Sequence, residues 1–112
     1  MEIKYSQELL CTAVEEDDRV KVVVMKPKFN YEETFCFYEK VSEFLESLPE
    51  APRPVLIDLT SVIYVDSTCM GILVRLYQKA AETGGHVVLA GVSPTIMHLL
   101  NMTRLSELFK FQ

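Results

Sequence analysis

Several functional classes are excluded by what this chain lacks. No apolar run approaches the roughly 20 residues that a membrane span requires. The opening Met1-Glu2-Ile3-Lys4-Tyr5-Ser6 has no basic then apolar layout of a secretory signal. Cysteine is sparse: Cys11, Cys36 and Cys69 are odd in number and widely spaced, so they form neither a disulfide framework nor a C-x-x-C ligand set. His86 and His98 stand apart from any ligand pattern, and no metal is expected. Positive charge is thin, with 11 basic against 16 acidic residues and a net charge of −5. No basic cluster exceeds Lys26-Pro27-Lys28, too little to displace counterions from a nucleic-acid backbone. Repeats, low-complexity tracts and Gly/Ser linkers are missing as well. These absences predict a cytoplasmic protein with free thiols, no direct membrane insertion, no nucleic-acid partner and no cofactor.

What remains is a chain of 112 residues, 49% of them hydrophobic. That is the size of one domain with its own core, far too apolar for disorder, and residues 1–112 are expected to form a single unit. Leu9 to Val14 has strand character, and Val20 to Met25 is β-branched. The charged run from Glu15 to Arg19 between them reads as the solvated turn of an antiparallel hairpin. From Tyr31 to Leu48 the period lengthens. Phe35, Tyr38, Val41, Leu45 and Leu48 recur at helical steps, with Phe37 and Phe44 widening the apolar stripe. Pro49, Pro52 and Pro54 end that helix.

Val55-Leu56-Ile57-Asp58-Leu59 reads as a strand buried on both faces, with Asp58 near its end accepting backbone hydrogen bonds. A second apolar stretch, Val62 to Val65, leads to Asp66-Ser67-Thr68, residues typical of a helix start. Met70, Leu73, Val74, Tyr77 and Ala81 continue at helical spacing. Gly84-Gly85 stops that helix, since glycine accepts the left-handed cap without steric cost. His86 to Ala90 is the next strand. Ser93-Pro94 opens a third helix buried through Ile96, Leu99 and Leu100. Leu105 to Phe111 forms a short amphipathic end. Strand, strand, helix, strand, helix, strand, helix, tail is an α/β order with parallel pairing across the helices.

The chemically informative segment is Val65-Asp66-Ser67-Thr68-Cys69-Met70-Gly71. A buried strand delivers it to a helix N-terminus, where free N–H groups and the helix dipole favour negative charge. A phosphate on Ser67 or Thr68 would be accepted there. It would alter partner affinity through charge without disturbing the fold. The plainer reading is that Asp66 or Ser67 serves only as an N-cap.

Together with Ile57-Asp58-Leu59-Thr60, with Gly84-Gly85-His86-Val87-Val88-Leu89-Ala90-Gly91-Val92-Ser93-Pro94, and on through Thr103-Arg104-Leu105 to Leu108-Phe109, this segment resembles a STAS domain. The anti-sigma factor antagonists are the bacterial prototypes of that family. The resemblance is specific over residues 55–111 and rests on element order over 8–48. It implies a mixed, mostly parallel sheet of about four to five strands with helices packed on one side. It also implies a non-enzymatic module that binds an anti-sigma factor with serine kinase activity and so frees a sigma factor. Phosphorylation of Ser67 by that kinase would end binding, and a PP2C-type phosphatase would restore it. The implied partner surface comprises Phe29, Asn30, Asp66, Ser67, Thr68, Cys69, Met70 and Gly71. Two positions depart from the family pattern. Cys69 stands where glycine is usual, and Asn30 where antagonists carry an acidic residue. These departures motivate a second hypothesis, a STAS subunit of a phospholipid-trafficking ABC transporter.

A third hypothesis is enzymatic. Cys69 and Arg75 fit the Cys-x5-Arg spacing of cysteine-dependent phosphatases, and a helix N-terminus would lower the thiol's pKa. Six helical residues, however, set the two side chains about 240° apart around the axis. The intervening Met70-Gly71-Ile72-Leu73-Val74 is apolar and no phosphate cradle. No phosphate loop or dinucleotide fingerprint is present either.

Overall fold

The computed structural model describes residues 2–4 and 10–112. Leu9, expected to start the first hairpin strand, lies outside them. The strands are β1 (Glu2–Lys4), β2 (Cys11–Glu15), β3 (Val20–Val24), β4 (Pro54–Asp58), β5 (His86–Ala90) and β6 (Lys110–Phe111). The helices are α1 (Tyr31–Ser47), α2 (Ser67–Ala81) and α3 (Pro94–Met102), followed by a single 3-10 turn at Leu105–Glu107.

All six strands lie in one sheet in chain order. β1, β2 and β3 pair antiparallel, and β3, β4, β5 and β6 pair parallel. The predicted hairpin is present, with Glu15 opposite Val20 and the turn closed by Glu16 N–H donating to the Arg19 carbonyl. The expected number of strands was too low, because β1 and β6 have three and two residues. Segments that short carry no period to read. The expected amphipathic tail is in fact the 3-10 turn and β6.

Alternation along the strands shows where the core sits. Cys11, Ala13, Val20, Val22, Val24, Val55, Ile57, Val87 and Leu89 are buried together in one cluster. Their neighbours Thr12, Lys21, Val23, Asp58 and Val88 on the opposite face are only partly covered. Val41 and Phe44 of α1, Leu73 and Leu76 of α2, and Ile96 and Leu100 of α3 all join that same cluster. The helices therefore cover one face of the sheet. The thickness of 20 Å against 35 × 33 Å in the other directions is that of two layers. Leu56, on the opposite face, is nonetheless buried between Lys21 and Val88 of the adjoining strands.

The α1 stripe is rotated from its expected position. Thr34, Phe37, Val41, Ser42 and Phe44 are the buried residues, while Phe35, Tyr38 and Leu45 flank them half-covered. Tyr38 is drawn to the α1–α2 seam, where the Arg75 guanidinium lies 4.4 Å from its ring centre. Two glycines fix close approaches. Gly85 runs so near the 52–54 connection that a β-carbon would sit 2.2 Å from the Arg53 carbonyl oxygen. At Gly91, with φ +67°, a β-carbon would sit 2.1 Å from Thr60 Oγ1.

Candidate partner-binding face

Parallel strands with helical crossovers gather all three helix N-termini at the edge where β3, β4 and β5 end. Each start is capped by the residue before it. Asn30 Oδ1 accepts from the Glu33 N–H at 2.8 Å, and Glu33 returns a bond to the Asn30 N–H at 2.9 Å. This reciprocal box satisfies two otherwise open donors. Asp66 Oδ1 accepts from the Cys69 N–H at 2.8 Å, and Ser93 Oγ accepts from the Ile96 N–H.

Ser67 is the first residue of α2 and is exposed, as is Gly71. Thr68 and Asp66 are half-exposed. Cys69 is half-buried behind them. Its Sγ lies 3.4 Å from Thr34 Oγ1, and that hydroxyl donates to the Asn30 carbonyl at 3.0 Å. The chain from Cys69 through Thr34 to Asn30 ties the start of α2 to the start of α1. The two expected contact segments are thus brought together. Further ties come from the Ile63 and Tyr64 N–H groups, which both donate to the Pro27 carbonyl. Phe29 packs 5.4 Å from Phe37, ring centre to ring centre. Met70 is corrected: at 8% exposure it belongs to the core, because its place one turn into α2 points it at the sheet.

The electrostatics distinguish α1 from α2. The α1 N-terminus holds Glu32 and Glu33 in its first turn, whereas α2 has no acidic residue in its first turn. Glu33 is held below the usual carboxylate range by its bond from the Asn30 backbone and by the Lys26 ammonium. The N-terminal field of α2 is met only by its cap, leaving Ser67 in a position that accepts more negative charge.

The enzymatic constellation does not assemble. Burial pushes the Cys69 thiol up, against the expected lowering at a helix start. Desolvation of the thiolate outweighs the dipole here. Arg75 is occupied with the Tyr38 ring and does not converge on Cys69. Asp58 accepts from both the N–H and the hydroxyl of Thr60, at 2.9 and 2.6 Å, as its predicted strand-end role requires. Those bonds, the hydroxyl's first, hold its carboxyl below the usual range.

Sequence reasoning missed the most exposed apolar residues of this edge, Ile63 (69%), Tyr31 (67%) and Tyr64 (54%). The Val62–Val65 run looked uniformly apolar, yet only Val62 and Val65 are buried. The available signal was that a helix cap at Asp66 fixes the register of a short loop, which cannot bury every side chain in it. Asn30-Tyr31-Glu32-Glu33 was also legible as a capping box.

The STAS domain family model matches residues 12–112, and this chain belongs to that family. An anti-sigma-B factor antagonist of Listeria monocytogenes is 35% identical over 74 residues, an alignment covering 65% of each protein. A STAS-domain protein of Pseudomonas aeruginosa is 28% identical over 76 residues, covering 68% of this chain and 75% of that protein. Among solved structures, an anti-sigma-factor antagonist (STAS) domain protein from Planctomyces limnophilus superposes with a TM-score of 0.80 at 22% identity. The match covers 90% of this chain and 87% of that one. No helix among the described residues is long and apolar enough to cross a membrane.

Proposed function

We propose that this protein is an anti-sigma factor antagonist, a non-enzymatic cytoplasmic module, formed by residues 1–112 as one domain. It binds an anti-sigma factor with serine kinase activity and is released from it by phosphorylation at Ser67. The observation that carries this reading is the exposed Ser67 hydroxyl at the first position of a helix whose first turn holds no acidic residue. Exposed Ile63 and Tyr64 precede it by four and three residues in the chain. A phosphate there gains from the helix dipole and the first-turn N–H groups, so the fold tolerates it. The partner, meeting nearly two new negative charges on a surface it must desolvate, does not. A PP2C-type phosphatase resets the protein. Phe29, Asn30, Asp66, Thr68, Cys69 and Gly71 complete the contact surface, with Asn30 and Asp66 acting through the caps that hold it.

Affinity purification from the native cytosol, comparing wild type with Ser67→Asp, tests the proposal. Capture of a kinase-like anti-sigma factor by wild type and its loss from the variant is expected. Equal retention of a transporter ATPase by both would replace this reading with the transport-subunit hypothesis. Iodoacetamide is expected to label Cys69 no faster than a model thiol at neutral pH, as a raised thiol pKa requires; faster labelling would revive thiol chemistry.

A further inference from the structure

Beneath the start of α2 lies a half-closed cavity walled by Phe29, Phe37, Tyr64, Cys69 and Leu73, with Lys28 at its rim. Its free space is about 30 Å³, room for about two waters or the end of one aliphatic side chain. Ligands of drug or nucleotide size need several hundred Å³. The wall is almost wholly apolar. Its single buried hydroxyl, on Thr34, is already satisfied by the Asn30 carbonyl, so nothing in it holds a water in place. The mouth opens beside a shallow hollow lined by Lys26, Lys28, Asn30, Glu33 and Tyr64. Lys26 pairs with Glu33, whereas Lys28 has no ion pair among the described residues. An apolar recess with a cation at its lip, set within an exposed contact surface, is the form of an anchor site.

We infer that this cavity seats the end of one aliphatic side chain of the partner protein, the branched tip of a leucine, with a carboxylate close by that meets Lys28. This inference rests on the antagonist reading for the identity of the partner. Cys69 forms part of the wall beside Thr34, so its side chain bears on which group fits.

The test is NMR of the full chain titrated with N-acetyl-leucine, which carries both required groups, against N-acetyl-alanine. Saturable shifts at the Phe29, Cys69 and Leu73 amides are expected, with N-acetyl-alanine about ten-fold weaker. Cys69→Met fills the cavity from its own wall and abolishes the response. Cys69→Val, a smaller change, weakens it and keeps the test intact should the methionine variant misfold. Lys28→Ala weakens N-acetyl-leucine about three-fold and leaves N-acetyl-leucine amide unchanged. Absence of saturable shifts in wild type, or their survival in folded Cys69→Met, overturns the inference. Affinity for the captured anti-sigma factor separates the two readings. Loss with Ser67→Asp but wild-type binding by Cys69→Met leaves the antagonist standing and removes the anchor site. Saturable N-acetyl-leucine binding without any anti-sigma factor bound to wild type supports the anchor and removes the antagonist.

Discussion

The two edges of the sheet are built from the same helices and strands but finished in opposite ways. At the edge where helices end, the connections are tied to one another around an open hollow lined by Leu48, Arg53, Val55 and Lys79. Gly85 lies against the Arg53 backbone, Arg53 bridges to Glu15 and to the Pro49 carbonyl, and Lys79 pairs with Glu46. Both of these cations find partners within the chain. At the edge where helices begin, backbone donors are capped by Asn30, Asp66 and Ser93, yet the side chains between the caps face outward. Ile63, Tyr64, Tyr31 and Ser67 are all exposed. One edge stabilises the fold, and the other spends its capping bonds on holding a surface in position. The proposed contact surface lies where the backbone is capped and these side chains are left exposed.

That contrast is open to direct disruption. Gly85→Ala at the edge where helices end is expected to cost about 2–4 kcal/mol, because backbone must move to admit the β-carbon. Urea unfolding measures it, and a loss below about 1 kcal/mol would show that this edge is looser than described. Asp66→Ala removes the α2 cap and is expected to cost about 1 kcal/mol while also weakening partner binding, since the helix start frays. Unchanged stability would mean the cap is idle.

Smaller still is the acid response of Asp58. Its folded-state pKa is depressed below 3.8 by Thr60, so the stability it lends is complete above the unfolded value. It is lost as pH falls through the lower, folded value. Wild type should therefore exceed the near-isosteric Thr60→Val in stability at neutral pH, with the gap closing on acidification. A gap independent of pH would assign the effect of Thr60 to packing beside Gly91. The smallest effect is expected at the open edge. Ser67→Asp should change unfolding free energy by no more than about 0.5 kcal/mol, because the helix start accepts the charge.

Much of this arrangement was legible in the residues. The hairpin around the charged run at 15–19 (of which Glu15 falls in β2), the Gly84-Gly85 stop, the Ser93-Pro94 start and the strand-end role of Asp58 each follow from local chemistry, and each is present. Other features depend on tertiary context. The α1 stripe centres on Phe37, Val41 and Phe44, while Tyr38 meets Arg75 of neighbouring α2; the apolar residues fill about half of that helix's circumference, so spacing alone did not fix which part of the arc faces the sheet. Strands β1 and β6 exist only through pairing with their neighbours. At the site, the Asp66 cap and the position of Ser67 could be read from sequence. The cavity and the raised Cys69 pKa could not, since both depend on α1 packing against α2.

The central claim is that charge on Ser67 changes binding and leaves the fold alone. The most direct measurement incubates the purified protein with its captured anti-sigma kinase and ATP. The phosphate is then located by peptide mass spectrometry, and the complex is followed by size-exclusion chromatography. Phosphate on Ser67, dissociation of the complex and an unchanged thermal unfolding midpoint are expected. Phosphate on Thr68 alone, or a complex that persists with Ser67 fully phosphorylated, would contradict it.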